Sequence, residues 1–344
     1  MYVLTRPFGL CAAVVVLAGC GGAPSHPNAL ANVTPAIGSS AFKTVVHREL
    51  GRSWTSPTAS RISSLLYVTN TGNGTVTFYR YNGGSLGILG RLKGFFKPTQ
   101  PCVDKAGNVF IPDFDAATIT KFAHGGATPI AVLSDPGGLP TGCSVDKVTG
   151  NLAVANFETN EALQGSIEVY RNASGTPTQY SDAAVYHPEY CGYDNAGNLF
   201  IDGRPYDSET VNLAELKKGN ASITDLTLTG GSIMFQGNVQ WGGTDLLIGD
   251  QGGSGSPSSV NRVTVSGSTA SIVKNLPLPG TSDVTGFWKQ GGVGNAKIAT
   301  ADFVAGNAPI YAFPSMALYA TVTKDVSAPF GVTVSQLPAG SPSH

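Results

Sequence analysis

Between residues 66 and 302 a short apolar run recurs six times, and each copy closes on asparagine or aspartate. The copies occupy 66–70, 109–113, 152–156, 199–202, 246–250 and 298–302, closing on Asn70, Asp113, Asn156, Asp202, Asp250 and Asp302. The closing residues stand 43, 43, 46, 48 and 52 positions apart. Three runs are preceded by an Asp and a Gly-Asn pair (Asp104 with Gly107-Asn108, Asp146 with Gly150-Asn151, Asp194 with Gly197-Asn198), the chemistry of a tight hairpin turn. After each run comes a polar loop and a second alternating stretch, as in Thr75-Val76-Thr77-Phe78-Tyr79-Arg80 or Ser166-Ile167-Glu168-Val169-Tyr170. Alternation with period two puts one side of a strand in a core and the other against a neighbour or water. A further outer strand follows, such as 128–133 or 271–273. No sustained 3.6-residue periodicity interrupts this pattern.

A repeat in the forties with four strands per unit predicts an all-β, six-bladed β-propeller. The first repeat lacks an innermost strand before Leu65. The segment Ala328-Pro329-Phe330-Gly331-Val332-Thr333-Val334 matches Pro140-Thr141-Gly142-Cys143-Ser144-Val145, so the C-terminus is expected to complete the first blade and remove the open edges. The stretch 140–156 and the run Leu66-Tyr67-Val68-Thr69-Asn70 resemble NHL and YVTN-type propeller repeats. The resemblance covers roughly residues 65–336 and implies a fold more than a function, because such propellers serve as binding proteins, lactonases, lyases and scaffolds alike.

Composition agrees with this reading. Of 344 residues 44 are glycine and only 12% are charged, which suits many tight turns and few helices. Lys plus Arg (21) and Asp plus Glu (22) nearly cancel. With no basic cluster, nucleic acid is excluded as a partner.

The N-terminus reads as an address. Arg6 precedes a short apolar run, 9–17, which is too short to span a bilayer, and Leu17-Ala18-Gly19-Cys20 resembles the bacterial lipobox. The expected organisation is a lipoprotein signal peptide at 1–19, a lipidated flexible stalk at 20–60, one propeller at 61–336 and a tail at 337–344. Cys20 would anchor the protein to the lipid bilayer of the cell envelope. With Gly21 following it, the expected site in a host with two membranes is the outer membrane, facing the periplasm.

Candidate chemistry is sparse. The six closing Asn/Asp residues could form a ring of metal ligands, but recurrence in every repeat favours a structural turn cap. The loops beyond them, on the face that also carries the inter-blade loops, gather Asp115, Glu158, Glu161, Asp207 and Glu209 with Lys97, Tyr186, His187, Glu189, Arg204 and Tyr206. This face could take a sugar, a peptide or an envelope protein. Tyr186-His187-Pro188-Glu189-Tyr190 is its most varied stretch, and His187 with Glu189 are the candidate acid–base pair. In related enzymes a divalent metal lies at the propeller axis. Here two histidines in the repeats, His124 and His187, are few for a histidine site, and oxygen-rich Ca²⁺ coordination is the alternative. The expected role is a binding or scaffold module, with a metal-dependent lactonase-like or lyase-like enzyme as the alternative. Cys102, Cys143 and Cys191 fall in innermost strands and are read as small buried hydrophobes; a disulfide among them would leave one unpaired.

Overall fold

The computed structural model describes residues 48–81, 86–159, 163–253, 256–292 and 294–338. Cys20, the signal segment and Glu161 lie outside them. The described chain is all-β, with two single 3₁₀ turns, Ala59–Arg61 and Arg171–Ala173.

Its strands form five sheets. The first runs, from outside inward, Trp54–Thr55, Ile88–Lys93, Thr75–Arg80, Ser64–Asn70 and Pro329–Gln336. The C-terminal strand thus lies innermost in the first repeat, antiparallel to Ser64–Asn70, as the sequence pattern predicts. Trp54–Thr55 adds an outermost fifth strand, and Ala59 is fully buried, so the end of the segment read as stalk packs onto this sheet. The second repeat is Cys102–Val103, Val109–Asp113, Thr118–Phe122 and Pro129–Ser134; the third is Gly138–Val145, Leu152–Thr159, Ser166–Tyr170 and Thr178–Tyr180. The sixth is Val284–Gln290, Lys297–Asp302, Ala308–Ala312 and Ala317–Val322.

The expectation of six separate four-stranded sheets needs correction at the fourth and fifth repeats. His187–Tyr193, Leu199–Arg204, Asn212–Leu216 and Thr224–Thr229 form one antiparallel meander. Gln236–Trp241, Leu246–Asp250, Ser259–Ser266 and Thr269–Pro277 form another. Their outer strands pair in parallel, Thr227–Thr229 against Thr269–Ser271, giving one eight-stranded sheet. Alternation within a strand fixes which face is buried but does not select a sideways neighbour for an outer strand.

The core lies between repeats. Leu65 and Tyr67 point into the cluster shared with Val109 and Ile111 of the second repeat. Leu66 and Val68, on the other face of the same strand, pack with Ala299, Ala301 and Ile310 of the sixth. Equivalent clusters join the second to third, third to fourth, fourth to fifth and fifth to sixth repeats. The innermost strands touch in the same cyclic order. Side chains lace them: Thr99 Oγ1 donates to Pro140 O (2.9 Å), Thr141 Oγ1 to Glu189 O (2.6 Å), Asn238 Nδ2 to Phe287 O (2.7 Å) and Thr285 Oγ1 to Phe330 O (2.6 Å). Gln100 clasps the C-terminal strand, donating to Val332 O (2.8 Å) and accepting from Val332 N (3.2 Å). The approach there is so close that a Cβ on Gly331 would stand 2.5 Å from Gln100 Cα.

The cysteine reading is also corrected. Cys102 and Cys143 form a disulfide between the innermost strands of the second and third repeats, with Cα atoms 5.5 Å apart; Cys191 is free and buried. The two bonded positions belong to neighbouring strands at the narrow axis, a proximity that the offset of their sequence positions concealed.

Candidate functional site

The closing Asn/Asp residues act mainly as caps. Asp113 accepts the N–H groups of Phe96 (2.9 Å) and Lys97 (2.8 Å), Asp250 those of Met234 and Phe235, and Asp302 those of Ser282 and Asp283. Asn70 Oδ1 accepts from Ser327 N (3.1 Å). In these four repeats the side chain holds the incoming inter-repeat segment against its own sheet, satisfying N–H groups that no ladder reaches.

The third and fourth repeats depart from this rule. Asn156 instead donates to Asp135 Oδ1 (3.3 Å), and fully buried Asp202 accepts from Tyr190 N (2.8 Å). Here, too, the second strand runs on past the closing residue. Leu152–Thr159 carries Phe157 and Glu158 beyond Asn156, and Leu199–Arg204 carries Arg204 beyond Asp202, with His187 paired to Arg204 across a bulge. In the other four repeats the second strand ends on the closing residue itself. The two overruns build a wall on one side of this face.

The wall is aromatic and charged. Phe157 stacks on His187 with centroids 4.9 Å apart and planes 21° from parallel, while Tyr186 meets His187 edge-on at 4.9 Å and Tyr206 at 5.2 Å. Arg204 lies 5.5 Å from the Phe157 ring and pairs with Glu209 at 2.6 Å. Tyr206 is 51% exposed and forms the accessible edge, whereas His187, Glu189, Glu158 and Arg204 are buried. Phe157 was not singled out from sequence. Of the candidates that were, Glu158, Tyr186, His187, Glu189, Arg204 and Tyr206 belong to this group. Asp115 does not; it pairs with Lys97 (3.2 Å) in the second repeat. Asp207 lies exposed in the turn that follows Arg204, outside the aromatic contacts.

Electrostatics set the protonation of the wall. His187 Nδ1 lies 3.2 Å from the carbonyl of Phe157, which can only accept, so Nδ1 carries the proton and Nε2 is the acceptor. Burial, together with the Arg204 charge, brings its pKa down to about 4. The ring is therefore neutral at pH 7 and makes no ion pair with Glu158, 4.0 Å away. Burial raises Glu189 to about 8 although Arg204 opposes the shift, and raises Asp283 to about 7 with help from the Asp302 charge. His124 is occupied structurally, bonded to Ser335 Oγ and the Ile62 carbonyl.

These donors do not fit a divalent cation. Arg204 supplies the positive charge beside Glu158 and Glu189, and the His187 nitrogen nearest Glu158 bears a proton. Among the described residues no three His, Cys, Asp or Glu side chains converge on a metal position.

Glu189, Asp283, Glu168 (about 7) and Asp135 (about 6) bind protons more tightly folded than unfolded, where carboxyls titrate near about 4. Their contribution is complete below about 4 and is lost progressively as pH rises from there to the folded values of about 6 to 8. His187 works oppositely: its contribution is complete above about 6.5 and falls away toward 4. Four such carboxyls outweigh the one histidine, so melting temperature is expected to fall as pH rises from about 5 to 8. Glu189→Gln should flatten the alkaline limb and raise melting at pH 8, as followed by calorimetry; an unchanged limb would contradict the assignment.

No protein-family model and no curated protein matches the chain. Solved structures do. A chain of the nidogen/laminin complex is similar with a TM-score of 0.59 at 14% identity, covering 79% of this chain and 98% of that one. A functionally unknown protein from Desulfotomaculum acetoxidans matches at 0.55 and 9% identity, covering 79% and 99%. Kuenenia stuttgartiensis hydrazine synthase matches at 0.53 and 12%, covering 80% and 93%. The fold is a β-propeller. At these identities the likeness carries the architecture alone, and the propeller's function has to be argued from its own wall.

Proposed function

We propose that this chain is an exported, lipid-anchored binding module: a six-bladed propeller of NHL type, tethered to the cell envelope through Cys20. Its ligand is a sugar or a peptide segment of an envelope protein, held against the wall of the third and fourth repeats. The observation that carries the reading is that wall, where Phe157 and Arg204, on strand overruns that the other repeats lack, gather with the rings of Tyr186, His187 and Tyr206. Tyr206 offers an exposed ring, backed by the buried His187 and by the Arg204–Glu209 pair; rigid aromatic anchors of this kind dominate binding energetics.

Six blades are supported by six core clusters, each between consecutive repeats and the last joining sixth to first. On this count the eight-stranded sheet is two blades whose outer strands pair. Export is supported by the lipobox-like Leu17-Ala18-Gly19-Cys20 and by the Cys102–Cys143 disulfide, since such bonds persist in oxidising compartments. In a host with two membranes the protein would face the periplasm from the outer membrane. Cys20→Ala should shift it from the membrane to the soluble fraction on cell fractionation; unchanged membrane retention would contradict the anchor.

Screening the full chain against glycan and peptide arrays tests the function. Saturable binding of one ligand class is the expected result, and binding to neither would overturn it. The metal-dependent lactonase-like or lyase-like reading finds no support in the donor set; stoichiometric Ca²⁺ together with turnover of a lactone would reinstate it.

A further inference from the structure

The outer part of the fourth repeat is split. Asn212–Leu216 and Thr224–Thr229 pair only from Leu213 opposite Leu226 to Glu215 opposite Thr224. Beyond Leu226 the outer strand leaves its own repeat, and Thr227–Thr229 pair in parallel with Thr269–Ser271 of the fifth. Asn212 meanwhile stays paired with Gly203 on the inner side. The two strands therefore part beyond Leu213 and Leu226. A cavity of about 370 Å³ lies in the gap, within the size range of small-molecule sites. Val211, Leu213, Leu226 and Ile233 are buried along its floor, and Leu228 is half-buried. The cavity adjoins the wall, since Thr210 follows Glu209 and Ala184 stands two residues before Tyr186, but none of the wall's side chains lines it.

The charge at the rim is negative. Asp225 is exposed there and shares a hydrogen bond with half-buried Asp182, on the segment that arrives from the third repeat. Partial burial, the Asp182 charge and that hydrogen bond all raise the Asp225 pKa, because two carboxyls in contact resist ionising together. No Lys or Arg lines the cavity. Among the described residues no cationic side chain pairs with either carboxyl. Arg204 is committed to Glu209 (2.6 Å), and Lys217 and Lys218 follow the far end of Asn212–Leu216. Two adjacent carboxyls without a counter-charge thus stand over an apolar floor, an arrangement that a cation on an aliphatic stem satisfies at both ends.

We propose that this cleft binds a primary alkylammonium group, its stem against Leu213, Leu226 and Leu228 and its ammonium on Asp225 and Asp182. The lysine side chain of a peptide and a free diamine share this chemistry. The site is distinct from the wall, and its occupancy does not depend on what the wall holds.

Calorimetric titration of the full chain at neutral pH tests this with cadaverine, with Nα-acetyl-lysine methylamide, and with its uncharged isostere Nα-acetyl-norleucine methylamide. The expected result is saturable binding of at least one ammonium compound, weakened tenfold or more by Asp225→Asn and unmoved by Tyr206→Ala in the wall. Binding of the lysine compound alone identifies a peptide side chain, and binding of cadaverine alone a free diamine; binding of both assigns the alkylammonium group itself. No saturable binding of either, equal binding of the norleucine compound, or indifference to Asp225→Asn would overturn the proposal. Asp225 is exposed, so a melting temperature no lower than wild type in the Asp225→Asn variant separates lost binding from lost folding.

Discussion

Deleting Pro329–Gln336 abolishes the cooperative unfolding transition. This strand supplies Phe330, Val332 and Val334, all essentially inaccessible, to clusters shared with other repeats. At about 1.5–3 kcal/mol for each large buried side chain, their loss approaches the roughly 5–15 kcal/mol by which a whole domain is stable. The deletion also strips the full antiparallel ladder from Ser64–Asn70 and removes the Gln100 clasp. A central strand then becomes an open edge, a template for aggregation. Thermal melts followed by circular dichroism and light scattering check this. The expected outcome is no sigmoidal transition and early aggregation, whereas a sharp melt within a few degrees of wild type would show that the ring does not depend on the closure.

The second large effect concerns the disulfide. Removing Cys102–Cys143 with the pair Cys102→Ala and Cys143→Ala frees a loop spanning a sequence separation of 41. Chain-entropy arguments put the stabilisation by such a loop at about 4 kcal/mol, within a range of roughly 0–5 for measured bonds. Both positions are buried in the cluster between the second and third repeats, so lost packing adds to the effect. A fall in melting temperature on the order of 8 °C is expected for a chain of this size. Reductant should reproduce it in the wild type, and Cys191→Ala should not respond to reductant differently from wild type. A double variant as stable as wild type under oxidising conditions would contradict a structural role.

Much of the fold was legible because alternation and turn chemistry repeat. The six apolar runs became the second strands, and the C-terminal segment became the innermost strand of the first repeat, for the same reason: each needs two buried faces. The extra strand Trp54–Thr55 was not legible, since a strand of two residues carries no period. The disulfide was hidden because spacing along the chain does not report distance across an axis.

The site was legible in part. Tyr186, His187, Glu189, Arg204 and Tyr206 come together because their strand and turn are adjacent in one repeat. Asp115 was grouped with them only by sharing a face, which says nothing of angular position around the ring. Phe157 was missed, although a signal existed. Ten positions separate Asn156 from Ser166 and Asp202 from Asn212, against five from Asn70 to Thr75, although the nine from Asp250 to Ser259 show that length permits the overrun without dictating it. The longer connections leave room for the ladder to run on and lift Phe157, Glu158 and Arg204 above the face.

Calorimetric titration of the array-selected ligand into three proteins tests the wall most directly: wild type, the pair Tyr186→Ala and Tyr206→Ala, and the control Tyr319→Ala. Tyr319 is an exposed tyrosine on the outer strand of the sixth repeat, 45% accessible and remote from the wall in the fold. The account predicts one site per chain, affinity reduced tenfold or more in the wall variant, and no change in the control. Equal affinity in all three proteins would contradict it, as the ligand would then be held somewhere other than the wall.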